Sequence, residues 1–206
     1  MSTRPLNATR ELETVSGPLA YSAVAERLAV NIVNCLNALL ELPPENICIS
    51  PEWIRDVHRY IAGELFPEWA GCFRTIDVQV GGHFPPSVHD VAVFVKNFCL
   101  DLEERQCHLN GAQSIAELLA WADWCFQWIH PFKDFNGRVG RILLIVLTYK
   151  LALPPIDPAT DESGKTLYFV ALRAADSGDL AMLNELWLNR LLLCASVPDV
   201  TGIHGN

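Results

Sequence analysis

The stretch from Arg138 to Leu151 constrains this chain more than any other. After its first turn it is apolar on nearly every side, with Ile142, Leu143, Leu144, Ile145, Val146 and Leu147 in unbroken succession. A helix with no polar face has nothing to offer water, so it belongs at the centre of a bundle with other helices around it. The run is too short to span a bilayer.

Helices to surround it are legible on both sides. Tyr21 to Leu42 places Val24, Leu28, Ile32, Leu36, Leu39 and Leu40 at helical spacing before Pro43-Pro44. Ser50-Pro51-Glu52 reads as a cap with proline at the first helical position, opening a helix that runs to Ile61 and stops at Gly63. Ser87 to Arg105 carries Val91, Val95, Phe98 and Leu102 on one face, and Ser114 to Ile129 holds Trp121, Trp124 and Trp128. Two more helices fall near 162–176 and 178–195, after a loop with Pro154, Pro155 and Pro158. One segment differs: Cys72 to Val80 alternates, is rich in β-branched residues and meets Gly81-Gly82, which predicts a strand or small hairpin. The fold class is therefore all-α, a helical bundle around a central buried helix with one small β-hairpin. Residues 1–18 are expected to be a flexible N-terminal segment, 19–195 a single domain and 196–206 a tail.

With 206 residues, half of them hydrophobic and 19% charged, the chain can bury a full core and is not generally disordered. A net charge of −9 argues against a nucleic-acid groove, which needs clustered Lys and Arg. Seven cysteines without a CxxC pair fit a reducing compartment better than a disulfide framework. The N-terminus lacks the apolar core of a signal peptide. The expectation is a cytoplasmic protein with no nucleic-acid or membrane partner.

Chemistry concentrates just before the central helix, in His130-Pro131-Phe132-Lys133-Asp134-Phe135-Asn136-Gly137-Arg138-Val139-Gly140-Arg141. A helix start near Gly137 leaves the N–H groups of Asn136 to Arg138 unpaired at the positive end of a helix dipole, a ready anion site. Gly137 admits close approach of a phosphate oxygen. Arg138 and Arg141, three apart, are placed to fork onto adjacent phosphates. Asp134 offers the single hard carboxylate that Mg²⁺ needs beside phosphate oxygens. His130 is the group in the loop suited to accepting a proton near neutrality. Each residue alone has an ordinary structural use; their conjunction points to a polyphosphate. His83, His89 and His130 lack metal-ligand spacing, so a metal hydrolase ranks last.

This stretch resembles the signature of Fic-domain proteins, H-x-F-x-D/E-G-N-G/K-R-x-x-R. His130, Phe132, Asp134, Asn136, Gly137, Arg138 and Arg141 all match, and Phe135 stands where the pattern usually has Gly. Trp69 to Pro86 looks like the family's approach to a hairpin flap over the active site, so the similarity covers roughly residues 50 to 195. The resemblance implies ATP-dependent transfer of AMP to a Tyr, Thr or Ser hydroxyl of a target protein. His130 would then be the base, Asp134 the Mg²⁺ ligand, Asn136, Gly137 and Arg138 the anion hole, and Arg141 the terminal-phosphate ligand. Phe135 would turn its N–H toward phosphate, its side chain lying against the nucleotide or under the flap. The flap, with Thr75, Ile76, Asp77, Val78, Gly81 and Gly82, would align the target's main chain by strand pairing. Gly137 rather than Lys favours nucleotidyl transfer over the family's kinase branch. Two alternatives keep the fold: another nucleotide or phosphate-containing donor, or a weakly catalytic regulatory module. Many family members also carry an inhibitory S/T-x-x-x-E-G/N helix. Ser22 to Glu26 fits its first five positions while Arg27 does not, so Glu26 is expected to contact Arg141, or else a separate antitoxin chain acts as the brake.

Overall fold

The computed structural model describes residues 10–154, 156 and 162–195. In chain order these form two antiparallel strands, β1 (Glu11–Thr14) and β2 (Gly17–Ala20), and seven helices. The helices are α1 (Tyr21–Leu40), α2 (Pro51–Ala62), α3 (Val91–Gln106), α4 (Gly111–Ile129), α5 (Asn136–Lys150), α6 (Glu162–Asp176) and α7 (Ala181–Ala195). Pro155, Pro158 and the 196–206 tail lie outside the described residues.

The all-round apolar helix is α5, and it takes the centre: Val139, Gly140 and Ile142 to Thr148 are all buried. Packed around it are α1, α2 and α4. The α4 crossing is close because position 140 has no side chain; a Cβ there would come 2.5 Å from Gln127 Nε2 and 3.1 Å from the Phe126 ring. Ser50 caps α2 as expected, its Oγ accepting from Trp53 N–H at 3.2 Å with Pro51 next. On α3, Val91, Val95, Phe98 and Leu102 are buried, and Phe98 stacks on Trp121 of α4 at 5.4 Å.

Across the other face of α4 lie α6 and α7, joined to it by a buried acid. Asp123 accepts from Tyr168 OH at 2.8 Å and from Trp187 Nε1 at 3.1 Å. Burial pushes its carboxyl up to about 6, against the pull of those two hydrogen bonds and Arg190.

α1 is long and apolar enough to cross a bilayer by length and composition. In the bundle it buries only Val24, Leu28 and Cys35.

Two expectations fail in position. No strand forms over 72–80; the one ladder contact there is the bridge Val80↔His83, closed by hydrogen bonds of 3.0 Å in both directions around Gly81 (φ +60°) and Gly82. Alternation of residue types does not supply a partner to pair with, and here Ile76 and Val80 stay exposed while Arg74 is the one buried residue of 72–80. The true two-stranded sheet is β1–β2, with Glu11 opposite Ala20 and Thr14 opposite Gly17. Its four-residue strands include Gly17 and Pro18, poor strand formers, so they carried no β pattern. Val15 N–H docks this hairpin on Leu65 C=O at 3.0 Å. A boundary at residue 18 would cut through β2, and residues 10–18 are built into the fold.

Candidate active site

The loop between α4 and α5 turns on two strained joints. His130, ending α4, has φ +49° and Phe135, opening α5, has φ +62°, two of only three non-glycine residues at positive φ among the described residues. Side chains do not enter that region cheaply, and such strain gathers at functional sites. Between the joints the loop is tied to itself. Asn136 Nδ2 donates to Phe132 C=O at 2.9 Å and Phe132 N–H donates to Asn136 Oδ1 at 2.8 Å, both in the interior. Asn136 thus spends its side chain on loop shape rather than on a ligand.

Phe135 explains itself here. Its ring is buried, neither against a cavity nor under the flap, among Phe66 at 5.4 Å, Trp69 at 5.7 Å and His58 at 6.4 Å. The position uses the left-handed backbone for which the family pattern usually has Gly, and aromatic packing offsets the cost. Its N–H does not face a phosphate site; it donates to Asp134 Oδ1 at 2.8 Å. Beneath the loop lies a residue the motif did not name. His58 of α2 stacks on Phe132 at 3.9 Å, accepts from Gly71 N–H at 2.8 Å through Nδ1, and faces Asp134 C=O at 3.3 Å through Nε2. Those partners fix a neutral tautomer, and burial pushes its pKa down to about 4. The signal was available: His58 shares the buried face of α2 with Ile54 and Ile61.

His130 reaches a cavity of about 340 Å³ walled by the flap turn (Val80 to His83), by Trp124 and Trp128 of α4 and by Phe169 of α6. Burial is the largest influence on its imidazole, pushing it down to about 4; a backbone hydrogen bond at Gln127 and the charge of Asp134 act upward, while His83 and Arg74 act downward. A second cavity of about 220 Å³ holds Gly137, Arg141 and Asp123 and shares Gln127, Phe169 and Leu172 with the first. Together they form one trough, from His130 and the flap to the N-terminus of α5. At that end, among the described residues, no acceptor meets the N–H of Asn136 or Gly137, whereas Arg138 N–H donates to Phe135 C=O at 3.0 Å. A Cβ built on Gly137 would meet nothing within 4 Å. The anion site therefore has two open amides rather than the three expected.

The arginines divide. Arg141 is exposed along the trough, but Arg138 lies over the rings of Phe135 at 5.2 Å and Tyr21 at 5.6 Å. Asp134 is linked to the same Tyr21 ring through Arg10, which lies 5.2 Å from the ring centroid. The Asp134 side chain is 22% exposed, and Oδ2 is ion-paired with Arg10, just before β1. Among the described residues no cluster of three His, Cys, Asp or Glu could hold a metal by itself. A hard cation here would have Asp134 and oxygens brought by a ligand, which suits Mg²⁺ with a polyphosphate.

The expected Glu26–Arg141 contact is absent: among the described residues no ion pair joins them, and Glu26 and Ser22 are exposed. Residues 22 and 26 lie one turn apart on the solvent side of α1, off the buried line of Val24 and Leu28. Arg27 instead meets Glu64 at 3.8 Å.

The flap leg is extended, and among the described residues the backbone of Asp77, Val78 and Gln79 makes no hydrogen bond. Its turn is pinned by His83, whose Nε2 meets Trp128 C=O at 3.1 Å and whose Nδ1 lies 3.4 Å from Asp176.

Known proteins are similar in sequence or in fold. A protein adenylyltransferase Fic of Aedes aegypti is 32% identical over 136 residues, and one of Drosophila melanogaster 31% over 138 residues. Each alignment takes in 66% of this chain, which spans only about a quarter (26% and 27%) of those relatives' length. The BepC protein of Bartonella tribocorum, solved with bound AMPPNP, superposes with a TM-score of 0.70 at 18% identity, covering 89% of this chain and 93% of that one. Fic-1 of C. elegans superposes at 0.65 with 24% identity, over 82% of this chain and 49% of that one. The Fic/DOC family model matches residues 48–148, from the strand-like approach to α2 through the motif loop and most of α5, and the chain belongs to that family.

Proposed function

We propose that this chain transfers AMP from ATP to a Tyr, Thr or Ser hydroxyl of a target protein. The observation that carries the reading is the single trough joining a neutral imidazole, His130, to two open amides and Arg141 at the positive end of α5. The triphosphate would lie toward that end, where the dipole and N–H groups favour charged oxygens. His130 takes the hydroxyl proton, the oxygen attacks the α-phosphorus, the α–β bridging bond breaks and pyrophosphate leaves. An imidazole held down near 4 is fully unprotonated at neutral pH, and a triphosphate arriving beside it would raise its basicity. Asp134 would hold Mg²⁺, which supplies neutralisation of phosphate charge when bound; Arg10 would have to release that carboxylate. The unpaired leg at Asp77 to Gln79 offers main-chain groups for strand addition by a target segment. With Glu26 turned to solvent, restraint would fall to a separate antitoxin chain, and autolabelling by Glu26→Gly is expected to equal that of the wild type. Cysteines without a CxxC pair support a cytoplasmic setting.

The test is labelling with α-³²P-ATP and Mg²⁺. The wild type is expected to label protein, and His130→Ala to lose about 10²- to 10⁴-fold. Labelling that survives His130→Ala refutes the base, and transfer of another donor's group would show as a different mass shift on the product.

A further inference from the structure

Among the described residues, Arg74 is the one buried Lys or Arg, and its side chain is fully out of solvent. A guanidinium in the interior needs an acceptor for its N–H groups. Arg74 finds them on three separate passes of the chain. Its Nε donates to His130 C=O at 3.0 Å, its Nη1 to Ile76 C=O at 3.2 Å and Asp77 Oδ1 at 3.5 Å, and its Nη2 to Pro86 C=O. Its own N–H also donates to Pro131 C=O at 2.8 Å. Ile76 lies on the leg that enters the flap turn, Pro86 on the leg that leaves it, and His130 and Pro131 begin the motif loop. Since no ladder joins the two legs below Val80–His83, this side chain, together with the bond from Val88 N–H to Asp77 Oδ1 at 2.8 Å, takes the place of the missing hydrogen bonds.

The same fork also grips the carbonyl of His130, a residue at φ +49° whose imidazole direction depends on how that carbonyl is held. Arg74 lines neither cavity of the trough.

We propose that Arg74 is a positioning residue, setting the two flap legs and the His130 imidazole in register so that a hydroxyl presented along the flap arrives at the base. The inference rests on the transfer reading above. It predicts a division of effects: the rate of transfer depends on Arg74, and nucleotide affinity does not.

The experiment compares the wild type with Arg74→Lys and Asp77→Ala. Lys keeps the charge, but its three donors sit on one compact ammonium that cannot span the separate carbonyls of His130, Ile76 and Pro86 as the planar fork does. Asp77 is an exposed partner of the fork that also accepts from Val88 N–H, so its loss loosens the join between the legs and leaves the core intact. Each folded protein is followed by α-³²P-ATP labelling for kcat and for KM of ATP, and by calorimetric titration with a non-hydrolysable ATP analogue. Expected are a fall in kcat of about 10- to 100-fold for Arg74→Lys, as a misplacement near 1 Å produces, and a smaller fall of about two- to fivefold for Asp77→Ala. KM and analogue affinity stay within about twofold in both. Equal losses of rate and analogue affinity would mean general damage and overturn the proposal. If Arg74→Lys does not fold, an unchanged kcat in Asp77→Ala overturns it, as does an unchanged kcat in a folded Arg74→Lys. A wild type that binds the analogue but labels nothing overturns the transfer reading and this inference with it.

Discussion

The motif loop and the flap wall the same trough, yet they are held in opposite ways. The loop is bonded to itself: Asn136 closes on both backbone groups of Phe132, and Phe135 N–H returns to Asp134. The flap is bonded mainly to its surroundings, by Arg74 to the loop and by His83 to α4 and α6. A part that must hold charge in fixed geometry is self-contained and desolvated. The part proposed to accept a target chain leaves the backbone of Asp77 to Gln79 unpaired among the described residues and borrows its position. The comparison predicts that damage to the loop is read in global stability and damage to the flap in local motion.

The largest effect is expected from acid, because the loop rests on two desolvated imidazoles. His58 and His130 are each held near 4 against an ordinary 6.5. Between those values the unfolded chain binds protons that the native chain refuses, so stability falls as pH falls from 6.5 to 4, by roughly 3 kcal/mol per imidazole. Asp123 works in the other direction: with its native value near 6 and its ordinary value 3.8, it takes its proton first in the folded state and adds about 3 kcal/mol as pH falls through that window. The net is a loss of about 3 kcal/mol, and Asp123→Asn, which removes the counterweight, should steepen the acid loss relative to its own value at pH 7. Thermal midpoints measured from pH 7 to 4 check this; a flat or rising profile in the wild type would sink it.

Next is Asn136→Ala, which strands a buried N–H and a buried C=O of Phe132 at a cost of about 2–4 kcal/mol. For a chain of this size that corresponds to a midpoint lower by about 5–15 °C. A drop of only a degree or two would show that water or a neighbour replaces the amide and that the loop is not self-supporting.

Phe135→Gly comes third, and its sign is instructive. Restoring the glycine usual in the family relieves about 1–2 kcal/mol of left-handed strain but gives up a buried ring among Phe66, Trp69 and His58, about 3–5 kcal/mol for such a truncation. The expected net is a destabilisation of about 2 kcal/mol in chemical denaturation. A more stable variant would mean that backbone strain, not packing, dominates this joint.

The same contrast explains what could be read from the residues. The central helix and the loop were legible because the interactions that make them are local: an apolar run with no polar face, or a Phe and an Asn four apart that bond each other. The flap reads as a strand or small hairpin, and only the Val80–His83 bridge forms, because the groups that hold the segment, Arg74 to His130 and His83 to Trp128 and Asp176, lie 45 residues apart or more. The β1–β2 sheet was missed for another reason. Two four-residue strands containing Gly17 and Pro18 have no propensity to notice, and docking at Leu65 sets them in place. Arg10 on Asp134 and Tyr21 beside Arg138 have the same origin, since they exist only once that hairpin is laid against the loop.

The smallest effect on stability is expected at the flap turn. His83→Ala removes one contact to a helix-end carbonyl and one to a part-exposed carboxylate, neither shielded enough to cost more than about 1 kcal/mol. The midpoint should move by no more than about 4 °C. Yet among the described residues the turn has, besides these contacts, just the paired Val80 and His83 hydrogen bonds and one from Gln79 Nε2 to Gly81 C=O at 2.9 Å. The loss of the His83 side chain should therefore raise amide exchange at Val80 and residue 83 by about fivefold, the factor that 1 kcal/mol represents. Exchange in the motif loop should stay as it was. If the loop amides loosen together with the turn, the two walls form one cooperative unit, and the division between a self-held site and a borrowed flap is wrong.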